Sequence, residues 1–64
     1  MKLSKLETDI ISLIIEEKTD YEIADILNYS LAHIKKTLRI IFQKYNVKGR
    51  VGLVREVVKE ELCR

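Results

Sequence analysis

Six side chains in this sequence have the types and spacing to do chemistry: Lys35, Lys36, Arg39, Lys44, Lys48 and Arg50. The chemistry is anion binding. They fall within residues 31–50, a block that holds no Asp or Glu. Residues 1–30 are the opposite, with seven Asp or Glu against three Lys. Net charge is only +2 at pH 7, so the grouping carries the information. A concentrated basic segment on a near-neutral chain is the footprint of a polyanion site. Charge alone fits an ordinary solvated face equally well. Other chemistries lack their residues. The one His and the one Cys lie far apart and make no metal-ligand set. No nucleophile stands beside a base, and no Gly-rich loop could cradle a phosphate. The expectation is therefore no enzyme activity, no metal and no cofactor.

Positioning these cations falls to a chain of 64 residues, short enough to be a single domain over 1–64. A domain this small buries a modest core and is marginally stable alone. Cys63 has no second cysteine to pair with, so an intrachain disulfide is excluded and a partner subunit is the natural supplement. We read Cys63 as an exposed tail thiol in a reducing, intracellular setting. The stretch IISLII, bounded by Asp9 and Glu16, is too short to span a bilayer and lacks the flanks of a signal peptide. Pro is absent, Gly occurs twice, and Ile, Leu, Lys and Glu dominate, which favours an all-α domain.

Four helices are predicted. "SKLE" is a capping box from Ser4 to Glu7, followed by Leu6, Ile10, Leu13 and Ile14 at helical spacing until Lys18 and Thr19. "TDYE" repeats the box from Thr19 to Glu22, with Ile23, Ala24 and Leu27 as a short apolar stripe and Asn28 suited to a turn. Ser30 is a third N-cap, opening a helix over 31–45. At about 100° per residue, Leu31, Ile34, Leu38, Ile41, Phe42 and Tyr45 share one side of that helix. Ala32, Lys35, Lys36, Arg39 and Gln43 share the other. Asn46 and the "VKGR" turn end it, and a last helix runs from about Arg50 to Leu62. A short helix, a tight turn and a longer helix with a basic outer face describe a helix-turn-helix, in which Ala24 lets the next helix cross closely.

These residues resemble the LuxR/NarL-type DNA-binding domain, and especially the small stand-alone regulators of the GerE kind. Leu3-Ser4-Lys5-Leu6-Glu7 resembles the family's opening L-T-x-x-E. Glu22-Ile23-Ala24 resembles its E-I-A core, and Ser30, Ile34 and Lys35 its S-x-x-T-V-K. Ile41, Lys44, Val47, Arg50, Leu53 and Val54 resemble its closing pattern. The resemblance runs ungapped from about Leu3 to Val58. Where the family has Gly this chain has Glu17 and Asn46, and His33, Thr37 and Ile40 replace its usual residues on or beside the expected DNA face.

The resemblance implies a four-helix domain whose third helix enters the major groove of double-stranded DNA. It assigns base-edge contacts to Lys35, Lys36 and Arg39. Arg39 can pair with guanine O6 and N7, and the lysines with the same acceptors or with phosphates. Thr19 and Ser30, at helix N-termini, and Gln43, Lys44, Lys48 and Arg50 would hold the backbone. Arg50 has an equal structural alternative, pairing with a carboxylate of the acidic first half. His33 reads as a surface residue rather than a sensor. Tyr21 and Tyr29 could touch phosphates or bury against a neighbouring helix. On the last helix, Val51, Val54, Val58 and Leu62 form one stripe, widened by Leu53 and Val57. One stripe suffices to seal a small core. The remainder, Val54, Val57 and Val58, would serve a weak or DNA-assisted two-fold homodimer on an inverted repeat. The resemblance thus points to a bacterial, cytoplasmic, nucleoid-associated transcriptional regulator or response-regulator output domain, with RNA polymerase as a further partner and no membrane. The competing expectation is a protein-interaction module of the same fold that binds polymerase, a sigma factor or another regulator.

Overall fold

The computed structural model describes residues 2–62, which form α1 (Lys5–Ile15), α2 (Asp20–Leu27), α3 (Leu31–Tyr45) and α4 (Arg50–Leu62). No strand occurs among the described residues, and Cys63 lies outside them. The expected all-α architecture of four helices is the one observed.

The first three helix starts are each set by a side chain. Ser4 Oγ accepts from the Glu7 amide at 3.1 Å, and the Ser4 amide donates to Glu7 Oε1 at 2.8 Å. Thr19 and Glu22 repeat this reciprocal pair at 3.2 and 2.8 Å. Ser30 Oγ accepts from the His33 amide at 3.1 Å. Each bond satisfies an amide that the first turn of a helix leaves without a partner.

The first three helix ends also share a device. After α1, the Glu17 amide donates to the Ile14 carbonyl and the Lys18 amide to that of Leu13. The pattern recurs with Asn28 and Tyr29 after α2, and with Asn46 and Val47 after α3. These are Schellman closures, which need a left-handed residue at the pivot. Glu17, Asn28 and Asn46 have φ of 64°, 60° and 56°. Asn tolerates this conformation; Glu pays a steric penalty there of about 1 kcal/mol relative to Gly. The closure also ends α1 at Ile15, short of the Lys18–Thr19 boundary expected from the sequence.

The core is largely isoleucine. Ile10, Ile11 and Ile14 of α1, Ile23 and Ala24 of α2, Ile34, Leu38 and Ile41 of α3, and Leu53 of α4 are buried together. Ile11 joins the α1 stripe, while Leu6 and Leu13 are only partly covered. α3 packs against each of the other three helices, and α4 also packs on α1. Gly52 brings α4 close to the preceding turn, since a Cβ there would stand 3.2 Å from Val47 Cβ.

Candidate nucleic-acid interface

α3 has two faces with different duties. Ile34, Thr37, Leu38 and Ile41 are buried, and Leu31, Phe42 and Tyr45 are half-buried. Ala32, Lys35, Lys36, Arg39 and Gln43 are exposed. Lys35, Lys36 and Arg39 fall within little more than one turn of one surface, and none of them pairs with a carboxylate among the described residues. Three unneutralised cations thus stand on a rod whose opposite side is locked into the domain. α2 and the turn through Asn28, Tyr29 and Ser30 hold its N-terminal end.

The remaining cations are distributed differently from the sequence expectation. Lys48 is exposed and unpaired among the described residues. Lys44, expected on a phosphate, instead reaches α1, with Nζ 2.8 and 2.9 Å from the two carboxylate oxygens of Glu7. Its position on the flank of α3, one turn past the core residue Ile41, aims it there. Arg50 takes its structural alternative. One guanidinium nitrogen donates to the Lys18 carbonyl at 2.9 Å and another to the Asp20 carboxylate, pinning the start of α4 to the start of α2. Thr19 and Ser30 use their hydroxyl oxygens as caps, which leaves each hydroxyl proton free to donate outward. Gln43 is exposed one turn past Arg39.

Glu7 is the buried carboxylate of this arrangement. The Lys44 hydrogen bond, then the Ser4 amide, hold it below its ordinary value of 4.5, against the opposing effect of burial. A lowered carboxylate pKa adds stability at neutral pH that is lost as pH falls from about that value through the folded-state one. The thermal midpoint should therefore drop on acidification through this window, and Glu7→Gln should show a shallower drop. Equal acid sensitivity in both proteins, followed by circular dichroism, would contradict this.

One residue of α3 is placed in a way the sequence did not suggest. Thr37 is buried, and its hydroxyl donates to the His33 carbonyl at 2.9 Å. It therefore faces away from the surface on which it was expected, because it lies one turn from Ile34 and Ile41 on the core side. His33 is exposed and stacks on Tyr29, with ring centroids 4.9 Å apart and planes 14° apart. Tyr21 and Tyr29 are both exposed, so neither fills the core.

On α4, Leu53 is the buried residue and Val54 and Val57 are half-buried against the core. The outward stripe is Val51, Val58 and Leu62, exposed by 84%, 46% and 81%. Of the three valines expected to face outward, Val58 is exposed, while Val54 and Val57 are half-buried. A groove of about 860 Å³ runs beside this stripe, between Ile15, Tyr21, Lys35, Val51 and Val54. Among the described residues, no group of three or more His, Cys, Asp or Glu could hold a metal, and no helix is long and apolar enough to cross a membrane.

Comparison with curated proteins and with solved structures finds no match to this chain. A family profile does match, GerE, described as bacterial regulatory proteins of the luxR family, over residues 1–57. That span takes in all of the helix-turn-helix and more than half of α4, and members of the family are DNA-binding transcription regulators. With its four helices, its short α2 and the basic outer face of α3, the chain belongs to the luxR family of bacterial regulatory proteins.

Proposed function

We propose that α3 enters the major groove of a specific duplex site, with Lys35, Lys36 and Arg39 at the base edges. The observation that carries this is the pairing of three exposed cations, unpaired among the described residues, on one face of α3 with a core-packed face opposite. The helix can be presented to DNA without distorting the domain. Thr19, Ser30, Gln43 and Lys48 sit around it as backbone contacts. Lys44 and Arg50 act mainly by holding α3 and α4 in place, and add phosphate contacts only through their remaining donors. The protein works in the bacterial cytoplasm on nucleoid DNA, with RNA polymerase as a further partner.

Two copies bind an inverted repeat, joined weakly through the outward stripe of α4, Val51, Val58 and Leu62, with the half-buried Val54 at its edge. Val57 supports this surface from beneath. Val58→Glu should fold normally, bind a single half-site as before and lose cooperativity on the full repeat. Unchanged cooperativity in a gel-shift titration would rule out this interface.

Salt separates this reading from that of a protein-interaction module. Three or four phosphate-range cations per copy give a log–log slope of affinity against salt of roughly −3 to −4 per protomer. Fluorescence anisotropy with a labelled duplex measures it. No duplex binding at low salt would leave the exposed groove and the α4 stripe as protein-docking surfaces instead.

A further inference from the structure

The outer face of α3 is not uniformly polar. Ile40 is 41% exposed there, whereas Ile34 and Ile41 of the same helix are at 0%. It stands one turn beyond Lys36 and one turn before Gln43 and Lys44. Lys44 does not cover it, because the Lys44 ammonium is committed to Glu7 on α1. The core has no use for Ile40, since its neighbour Ile41 fills the buried position. A β-branched residue also forms a helix less readily than Lys, Glu or Gln would at an exposed site. Nor does Ile40 belong to the apolar stripe of α4.

The two edges of the reading face therefore differ in chemistry. Lys35 and Arg39 make one edge purely cationic. His33 on its Tyr29 stack, then Lys36, then Ile40 make the other aromatic and apolar around a single charge. On the floor of the major groove, donors have several acceptors to choose from. An apolar side chain has one partner, the 5-methyl group of thymine.

We infer that Ile40 is a specificity-determining residue that reads a thymine methyl. This rests on the proposed entry of α3 into the major groove. Ile40 lies about 6 Å along the helix axis from Lys36. The thymine it reads is thus one to two base pairs from the position read by Lys36, and each half-site contains one such thymine. Removing water from one methyl against the Ile40 side chain strengthens binding about fourfold.

The test uses the full chain and its preferred duplex, obtained by selection from a random pool. Each thymine is replaced in turn by deoxyuridine, which pairs identically and lacks only the methyl. At one thymine per half-site, affinity of the native protein should fall about fourfold. Ile40→Ala should bind the thymine site about fourfold more weakly than the native protein and be indifferent to deoxyuridine at that position. Its circular dichroism melt should match the native one, because the residue is exposed. Two results overturn the inference while leaving groove entry intact: steep salt-dependent binding with no thymine sensitive to deoxyuridine, or a sensitive thymine whose effect persists in Ile40→Ala. Absence of duplex binding would overturn it together with the proposed function.

Discussion

Arg39→Ala should weaken binding to the preferred duplex by about 1–3 kcal/mol while hardly changing affinity for random DNA. The asymmetry is the informative part. A guanidinium that pairs with guanine O6 and N7 loses two directed bonds when truncated, and only at the cognate base. A cation that merely neutralises phosphate loses the same amount on every sequence, and its removal flattens the salt dependence. Arg39 is exposed and bound to no carboxylate among the described residues, so truncation leaves no buried charge behind and the fold is unaffected. Competition titrations with cognate and scrambled duplexes measure both numbers. An equal loss on both would move Arg39 from base reading to backbone holding. Lys44→Ala offers a contrast. It strands the Glu7 carboxylate at 6% exposure, so its main effect falls on stability rather than on discrimination.

Ile34→Ala should leave most of the protein unfolded at 37 °C. Ile34 is fully buried near the start of α3, in a core shared with α1, α2 and α4. Truncating a buried isoleucine costs about 2–5 kcal/mol. A core of this size supplies only about 3–5 kcal/mol in all. The variant should show reduced helicity by circular dichroism, and its apparent DNA affinity should fall by the fraction that remains folded. Excess cognate duplex should restore helicity by mass action, since only the folded form binds. A native-like melt would mean that the core closes around the missing methyl groups, and the estimate for α3 would be wrong.

Much of this fold is legible in the linear sequence, because its punctuation is local. S-x-x-E at Ser4, T-x-x-E at Thr19 and Ser30 each mark a helix start by a bond that spans only three residues. Asn28 and Asn46 mark ends because their side chains tolerate a left-handed backbone. Glu17 marks an end just as firmly, yet its side chain has no such preference. The closure after Ile15 turns the chain away once Ile10, Ile11 and Ile14 are seated in the core against α3 and α4, which is tertiary information. The split of α3 into core and outer faces follows from its period, and two residues cross it: Thr37, a polar residue inside that satisfies its own hydroxyl within the helix, and Ile40, an apolar one outside.

The candidate site is harder to read, because a charge at the flank of a helix can turn either way. Lys44 and Glu7 are separated by 37 residues, and Glu7 already has a complete local explanation in its capping box. Nothing near either residue announces the pair. Arg50 and Asp20, 30 apart, pose the same problem. On α4, valines cover half the circumference, and which of them face outward depends on how the helix is rolled onto α1 and α3. Leu53 settles the roll, putting Val57 inside and Val58 outside.

The two-faced construction of α3 has a consequence for how such a protein can change over generations. Residues that hold the domain together and residues proposed to meet DNA alternate along the same fifteen positions, yet lie on opposite faces of the helix. Ala32, Lys35, Lys36, Arg39, Ile40 and Gln43 can each be exchanged without opening a cavity or stranding a buried charge. A duplicated copy could thus drift to a new operator by single substitutions, each passing through a folded intermediate. Loss of the old target need never coincide with loss of the protein.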